Sequence, residues 1–181
     1  MSLREISYDD AKKQYLVDSD LMGYNFDDIK EFVCRKLRDS SFTRSCDAYY
    51  QDRRGREYLI EFKNQREEDV PRRIVRQKAY DSLYLHLLTF GRDCTVEEAA
   101  RNLTLVVVYN DGAESGPPNR RYAKSESFEK LSAAFGKMAR AEQPRAVKFG
   151  LSYLKGQLYR EIDTLDVQDF MREFVNGRFC E

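Results

Sequence analysis

The chain switches between two hydrophobic periods, and the switch points divide it into elements. Phe26, Ile29, Val33 and Leu37 recur at helical spacing behind Asn25, with Asp27 and Asp28 in the first turn and Arg35, Lys36 and Arg38 in the last. That pattern predicts an amphipathic helix over 26–39, capped by Asn25. Ahead of it, the acidic, tyrosine-rich opening segment holds one further candidate, a short helix at Asp9–Val17. From Phe42 to Gln51 the period shortens to near-alternation. Asp52-Arg53-Arg54-Gly55-Arg56 then reads as a turn and Glu57–Asn64 as the returning strand of a hairpin.

Pro71 opens a long helical run reaching Phe90, and Thr95 with Glu98 makes a capping box for a short helix near 95–101. Leu103–Tyr109 is nearly continuous in apolar residues, as expected of a strand buried on both faces. Asn110–Arg121 predicts a loop, Ser125–Ala139 a helix, and Val147–Leu154 with Gln157–Asp163 two strands joined at Lys155-Gly156. A last helix is expected near 166–176, ending at Gly177. Helices and strands interleaved in this way predict an α/β class, an α+β sandwich around a mixed central sheet flanked by helices, in a single domain over 1–181.

Composition changes this picture mainly by exclusion. The 31 Lys+Arg are matched by 31 Asp+Glu, so bulk positive charge does not draw the chain to nucleic acid or an anionic membrane. Hydrophobic residues at 41% and aromatic ones at 13% suffice for a real core. Neither a signal-like segment nor a membrane-length apolar run is visible, so the expected setting is cytoplasmic, with no membrane partner. Cys34, Cys46, Cys94 and Cys180 are scattered and read as reduced thiols, and a single histidine, His86, argues against structural zinc. The zero net charge is a sum of unlike parts. Residues 1–32 carry 4 basic and 8 acidic residues, whereas 33–78 carry 13 basic and 8 acidic ones.

That second segment also holds the candidate chemistry, in Cys46-Asp47-Ala48-Tyr49 and Tyr58-Leu59-Ile60-Glu61-Phe62-Lys63-Asn64-Gln65. On a strand, Glu61 and Lys63 share one face while Ile60 and Phe62 take the other. If the two segments pair, Asp47 lies beside Glu61. Adjacent carboxylates repel unless a cation sits between them, and hard oxygen ligands of this kind suit Mg²⁺ or Mn²⁺. The neighbouring ammonium can orient a water or offset charge on a phosphate.

An acid at the start of one hairpin strand followed by Glu-x-Lys on the next resembles the PD-(D/E)XK nuclease superfamily, whose fold is restriction-endonuclease-like. The resemblance spans a candidate core at 26–109, with 110–181 as an embellishment completing the sheet and helices. It implies a metal-dependent phosphodiester hydrolase acting on DNA rather than RNA. Asp47 and Glu61 would be metal ligands, with the Phe62 carbonyl completing the shell and Lys63 assisting the attacking water. It further implies a carboxylate from the first helix, for which Glu31 is the candidate, and a glutamine from the following helix, Gln77, with Tyr80 after it. Cys46 stands where the motif name has proline. Arg53, Arg54, Arg66, Arg73, Arg76 and Lys78 cluster around the motif as candidate nucleic-acid contacts. Tyr49, Tyr50, Tyr80 and Tyr84 are either stacking platforms or core aromatics, and His86 reads as a core-edge residue. The alternative is a non-catalytic binding or regulatory protein that keeps the fold and uses the acids and lysines as ion pairs. A homodimer is compatible with either reading.

Overall fold

A computed structural model describes residues 1–38, 44–90, 95–113 and 146–178. The chain begins with a single helical turn, α1 (Leu3–Ile6), closed by a capping box between Ser2 and Glu5. Residues 9–17 then form no helix but a small antiparallel hairpin, β1 (Tyr8–Asp9) with β2 (Gln14–Tyr15). Local chemistry explains the difference. Asp9 Oδ1 accepts from the Ala11 and Lys12 N–H groups at 2.9 and 3.1 Å, and Lys13 turns the chain at φ 52°. An aspartate bonding its own following backbone competes with helix formation.

The central sheet follows. β3 (Tyr24–Asn25) leads directly into α2 (Phe26–Leu37), which Asn25 caps by accepting from the Asp27 N–H at 3.0 Å. Arg38 ends that helix in the left-handed region. β4 (Ala48–Gln51) and β5 (Glu57–Lys63) make the expected hairpin. Its turn is built on Asp52, whose carboxylate accepts from the Arg54 and Arg56 N–H groups and from Arg56 Nε, with Gly55 at φ 77°. β4 is shorter than the alternation of 42–51 predicts. Cys46 N–H donates instead to Ser82 Oγ at 2.6 Å, which ties that part of the segment to the following helix; residues 39–43 lie outside the described residues.

After a 3₁₀ turn at Glu67–Asp69 comes the long α3 (Arg72–Phe90), immediately behind Pro71, then α4 (Val96–Asn102) with its Thr95–Glu98 capping box. β6 (Leu103–Tyr109) is buried along its whole length. Residues 147–154 form no strand. Phe149 and Gly150 both have positive φ, at 58° and 66°, and the chain goes on into a 3₁₀ turn at Ser152–Leu154. The final strand is β7 (Glu161–Asp166), followed by α5 (Val167–Phe170), capped by Asp166 and continued as π-helical turns over Met171–Arg178. The helix expected at 125–139 lies outside the described residues, as does most of the 110–121 loop.

The sheet order is β3-β4-β5-β6-β7, antiparallel from β3 to β5 and parallel from β5 to β7. The fold is therefore α+β around a mixed sheet, and its outermost strands lie outside 26–109. Alternation along β5 and β6 feeds two cores. Leu59, Leu105 and Val107 pack with Phe26, Val33, Val75, Ala79 and Leu83 from α2 and α3. Ile60, Phe62, Val106 and Val108 pack on the opposite face with Leu3, Val17, Phe170 and Phe174. Both faces of the central strands are thus covered, which is why β6 reads as a nearly continuous apolar run.

Candidate active site

Hairpin register decides which side chains meet. Ala48 pairs with Ile60, so Asp47, one residue earlier, falls opposite Glu61; its own N–H donates to the Ile60 carbonyl at 3.0 Å. Asp47 Oδ2 accepts from the Phe62 N–H at 2.6 Å, which orients that carboxylate across the end of β5. Glu61 and Lys63 share the face turned toward α3, as the two-residue period requires. Lys63 Nζ stands 2.5 Å from Glu61 Oε1, and Lys78, arriving from α3, bridges the two acids at 3.0 Å to Asp47 Oδ1 and 2.8 Å to Glu61 Oε2. Two carboxylates and two ammoniums therefore form one cluster.

The cluster is electrostatically uneven. Glu61 has no side-chain exposure, and burial, reinforced by the Asp47 charge, pushes its carboxyl from 4.5 up to about 7 against the pull of Lys63 and Lys78. Burial works against the Lys78 charge too, but Glu61 and Asp47 outweigh it and hold the ammonium above its ordinary range. Glu61 Oε1 has no aligned hydrogen-bond donor among the described residues, because Lys63 meets it as an ion pair without hydrogen-bond geometry. A buried carboxylate oxygen left in that condition is what a hard cation satisfies.

The cluster opens onto a cleft of about 760 Å³ at the carboxyl end of β5. Asp47, Lys63, Asn64 and Lys78 are on its wall, with Asp27 and Arg44 beside them and the α1–β1 segment opposite. A crevice beyond the carboxyl ends of the strands is the general location of binding sites in sheets with parallel strands.

Of the residues singled out from sequence, Asp47, Glu61, Lys63 and Lys78 come together. Lys78 does so as the bridging ammonium and not as a peripheral phosphate contact. Glu31 does not join them; it is exposed and off the cleft, and the carboxylate that α2 places on the wall is Asp27, one turn earlier. Lys30 at 2.5 Å and the Ser45 hydroxyl hold Asp27, and although burial opposes it, they keep that carboxyl below its ordinary range. Gln77 is also off the wall, with Oε1 accepting from Arg44 Nε at 3.2 Å.

The arginines do not form one clamp around the cleft. Arg53 and Arg54 sit in the hairpin turn beyond the Asp52–Arg56 pair, at least about 16 Å along the strand from Glu61. Arg66 Nε donates to the Ala113 carbonyl at 2.8 Å. Arg73 and Arg76 are exposed on α3, away from the face on which Pro71, Ile74 and Lys78 line the cleft. Tyr49 and Tyr50 are core residues and Tyr80 and Tyr84 are exposed, with the Tyr80 hydroxyl bonded to that of Tyr153 at 3.0 Å. His86 is buried at 1% exposure, deeper than a core-edge position.

Asp27, Arg44, Lys12 and Asn64 on the wall are additions that spacing alone does not reveal. Lys78 left one signal, since it lies on the Ile74 edge of the Val75–Ala79–Leu83 stripe, where a lysine can reach over the sheet end. Among the described residues no three acids, cysteines or histidines converge to hold a metal, and no helix is long and apolar enough to cross a membrane. Comparison with protein-family models, curated proteins and solved structures returned no match to this chain.

Proposed function

We propose that the chain is a Mg²⁺- or Mn²⁺-dependent phosphodiester hydrolase acting on DNA, related to the PD-(D/E)XK nucleases. The single observation that carries this reading is the buried Glu61, with one carboxylate oxygen lacking an aligned donor, beside Asp47, which lines an open cleft. Asp47 and Glu61 are the ligand pair. Two carboxylates fit Mg²⁺, which keeps several waters and takes one or two protein carboxylates alongside substrate phosphate. The metal supplies Lewis-acid polarisation of a phosphoryl oxygen and a bound water of lowered pKa. Lys63 keeps its ammonium at Glu61 and offsets charge developing on the phosphate. Lys78, on a flexible stem, would be free to contact substrate phosphate if a cation took over the neutralisation of Asp47 and Glu61. The mixed sheet and the order α2, hairpin, α3, β6 support the family assignment.

A second reading is favoured by Lys78 itself. An ammonium spanning both carboxylates already balances them, as a non-catalytic module with a structural ion-pair cluster requires. Cleavage of a labelled DNA substrate with and without Mg²⁺ separates the two. Lys63→Ala is expected to lose at least about a hundredfold in Mg²⁺-dependent rate while unfolding at the same denaturant midpoint as the wild type. A wild-type chain that cleaves nothing, or a Lys63→Ala variant with full activity, removes the mechanism.

A further inference from the structure

Asn64 follows Lys63 directly and lines the same cleft, yet the acid–lysine cluster does not use its side chain. A relay fixes how its amide points. The Gly112 N–H donates to Asn110 Oδ1 at 3.0 Å, which leaves Asn110 Nδ2 as the donor to Asn64 Oδ1 at 2.8 Å. Asn64 Nδ2 is thereby turned away from Asn110, with no acceptor among the described residues, in a side chain only 7% exposed. Native structures rarely leave a buried donor unmade, because the loss is not returned elsewhere.

What satisfies Asn64 Nδ2 has to be an acceptor, and the ammonium bonded to the same residue favours an anionic one. Lys12 Nζ donates to the Asn64 carbonyl at 2.5 Å and, as an ammonium with three donors, keeps two for a ligand. Lys63, Lys78 and Arg44 stand on the same cleft. Of the five acids there, Glu5, Asp9, Asp27 and Asp47 are engaged by Ser2, by the Ala11 and Lys12 N–H groups, by Lys30 and Ser45, and by Lys78 and Phe62, while Asp10 is exposed to solvent. We infer that Asn64 Nδ2 and Lys12 Nζ form an oxyanion subsite that holds a non-reacting phosphate oxygen of the substrate next to the Asp47–Glu61 pair. The subsite deepens the nuclease reading and rests on it for the reaction beside it. The phosphate is an internal diester or a strand-terminal monoester, and its recognition chemistry is the same in both cases.

The test uses the full chain with inorganic phosphate as the probe, followed by ³¹P NMR titration, and with two variants. Asn64→Asp keeps the acceptor that Asn110 needs but replaces the free donor with a negative charge. Asn110→Asp leaves residue 64 intact but makes position 110 acceptor-only, so the Asn64 amide flips and spends its donor on position 110. Both variants are expected to bind phosphate about tenfold to a hundredfold more weakly, the value of a hydrogen bond to a charged group. No phosphate binding by the wild type, or wild-type affinity in both variants, overturns the subsite.

Cleavage assays separate this inference from the one beneath it. A wild-type chain that binds phosphate through Asn64 but cleaves no DNA keeps the subsite and removes the nuclease. Cleavage with an unchanged KM in Asn64→Asp does the reverse. With oligonucleotides bearing a 5′-phosphate or a 5′-hydroxyl, a KM increase confined to the former assigns a terminal phosphate. An increase for both assigns an internal one.

Discussion

β5 carries a glutamate near each of its ends, Glu57 partly buried and Glu61 fully buried, and the two are treated differently. Glu57 and Glu61 lie four residues apart on one face of one strand. At the amino end, the Tyr49 hydroxyl donates to Glu57 Oε1 at 2.6 Å, and His86 Nε2 lies 3.4 Å from the same oxygen. His86 foremost, with Tyr49 assisting against burial, holds the Glu57 carboxyl below its ordinary range. At the carboxyl end, burial and the Asp47 charge drive Glu61 the other way, and a cleft opens where the first site has the Tyr49–His86–Phe90 aromatic packing. Similar residues on one strand thus divide into a carboxylate that ties α3 to the sheet and one that joins the Asp47, Lys63 and Lys78 cluster beside a cleft. Neighbours, not residue type, separate structural acids from candidate catalytic ones.

The comparison breaks hardest at Lys78. Lys78→Met withdraws the ammonium that bridges two acids, one of them fully buried, and is expected to cost about 3 kcal/mol of stability in metal-free buffer, measured by urea unfolding. Mn²⁺ should restore much of that loss. A variant as stable as the wild type, or one that Mn²⁺ leaves unchanged, denies that the bridge and the cation occupy the same place.

A smaller effect sharpens the comparison through pH. The folded Glu61 carboxyl sits at about 7 against 4.5 in its ordinary state, so between those values the native chain binds the extra proton. Its contribution is therefore fully present below about 4.5 and is lost as pH rises through about 7. Lys78, held above its ordinary range, stays charged across this window. Metal-free stability should fall between these pH values in the wild type and lose that component in Glu61→Gln. Added Mg²⁺ should oppose the fall, since binding requires the ionised carboxylate. An identical pH profile in the two proteins would contradict the assignment.

The smallest effect belongs to the amino end. Tyr49→Phe removes one donor to Glu57 and should cost about 1 kcal/mol in urea unfolding, with DNA cleavage unaltered. A large loss of activity would mean that the two ends are not separate.

The periodic parts of this chain announce themselves. The Phe26–Ile29–Val33–Leu37 stripe, the Gly55 turn and the Leu103–Tyr109 run each encode their element within a few residues, so α2, the hairpin and β6 were legible, as was the Asp47–Glu61–Lys63 set that hairpin register assembles. Illegible parts depended on non-local partners or on backbone geometry. Asp9 wraps its own turn where residue types suggest a helix, and Phe149 takes a positive φ that apolar alternation does not foretell. Glu31 and Asp27 stand one turn apart on α2, and only the direction of that helix over the sheet end chooses between them. Lys78 is legible only as a phosphate contact and Asn64 not as a site member at all, because α3 crossing the sheet places one and a loop residue at position 110 orients the other.

In the proposed hydrolase the carboxyl end of β5 holds a divalent cation and the amino end does not. Calorimetric titration of Mn²⁺ into chelator-treated protein above pH 7, where Glu61 is ionised, tests it most directly. The wild type and Glu57→Gln should bind with the same affinity, and Glu61→Gln at least about tenfold more weakly. A wild-type chain that takes up no Mn²⁺, or a Glu61→Gln variant that binds as well as the wild type, would contradict the account.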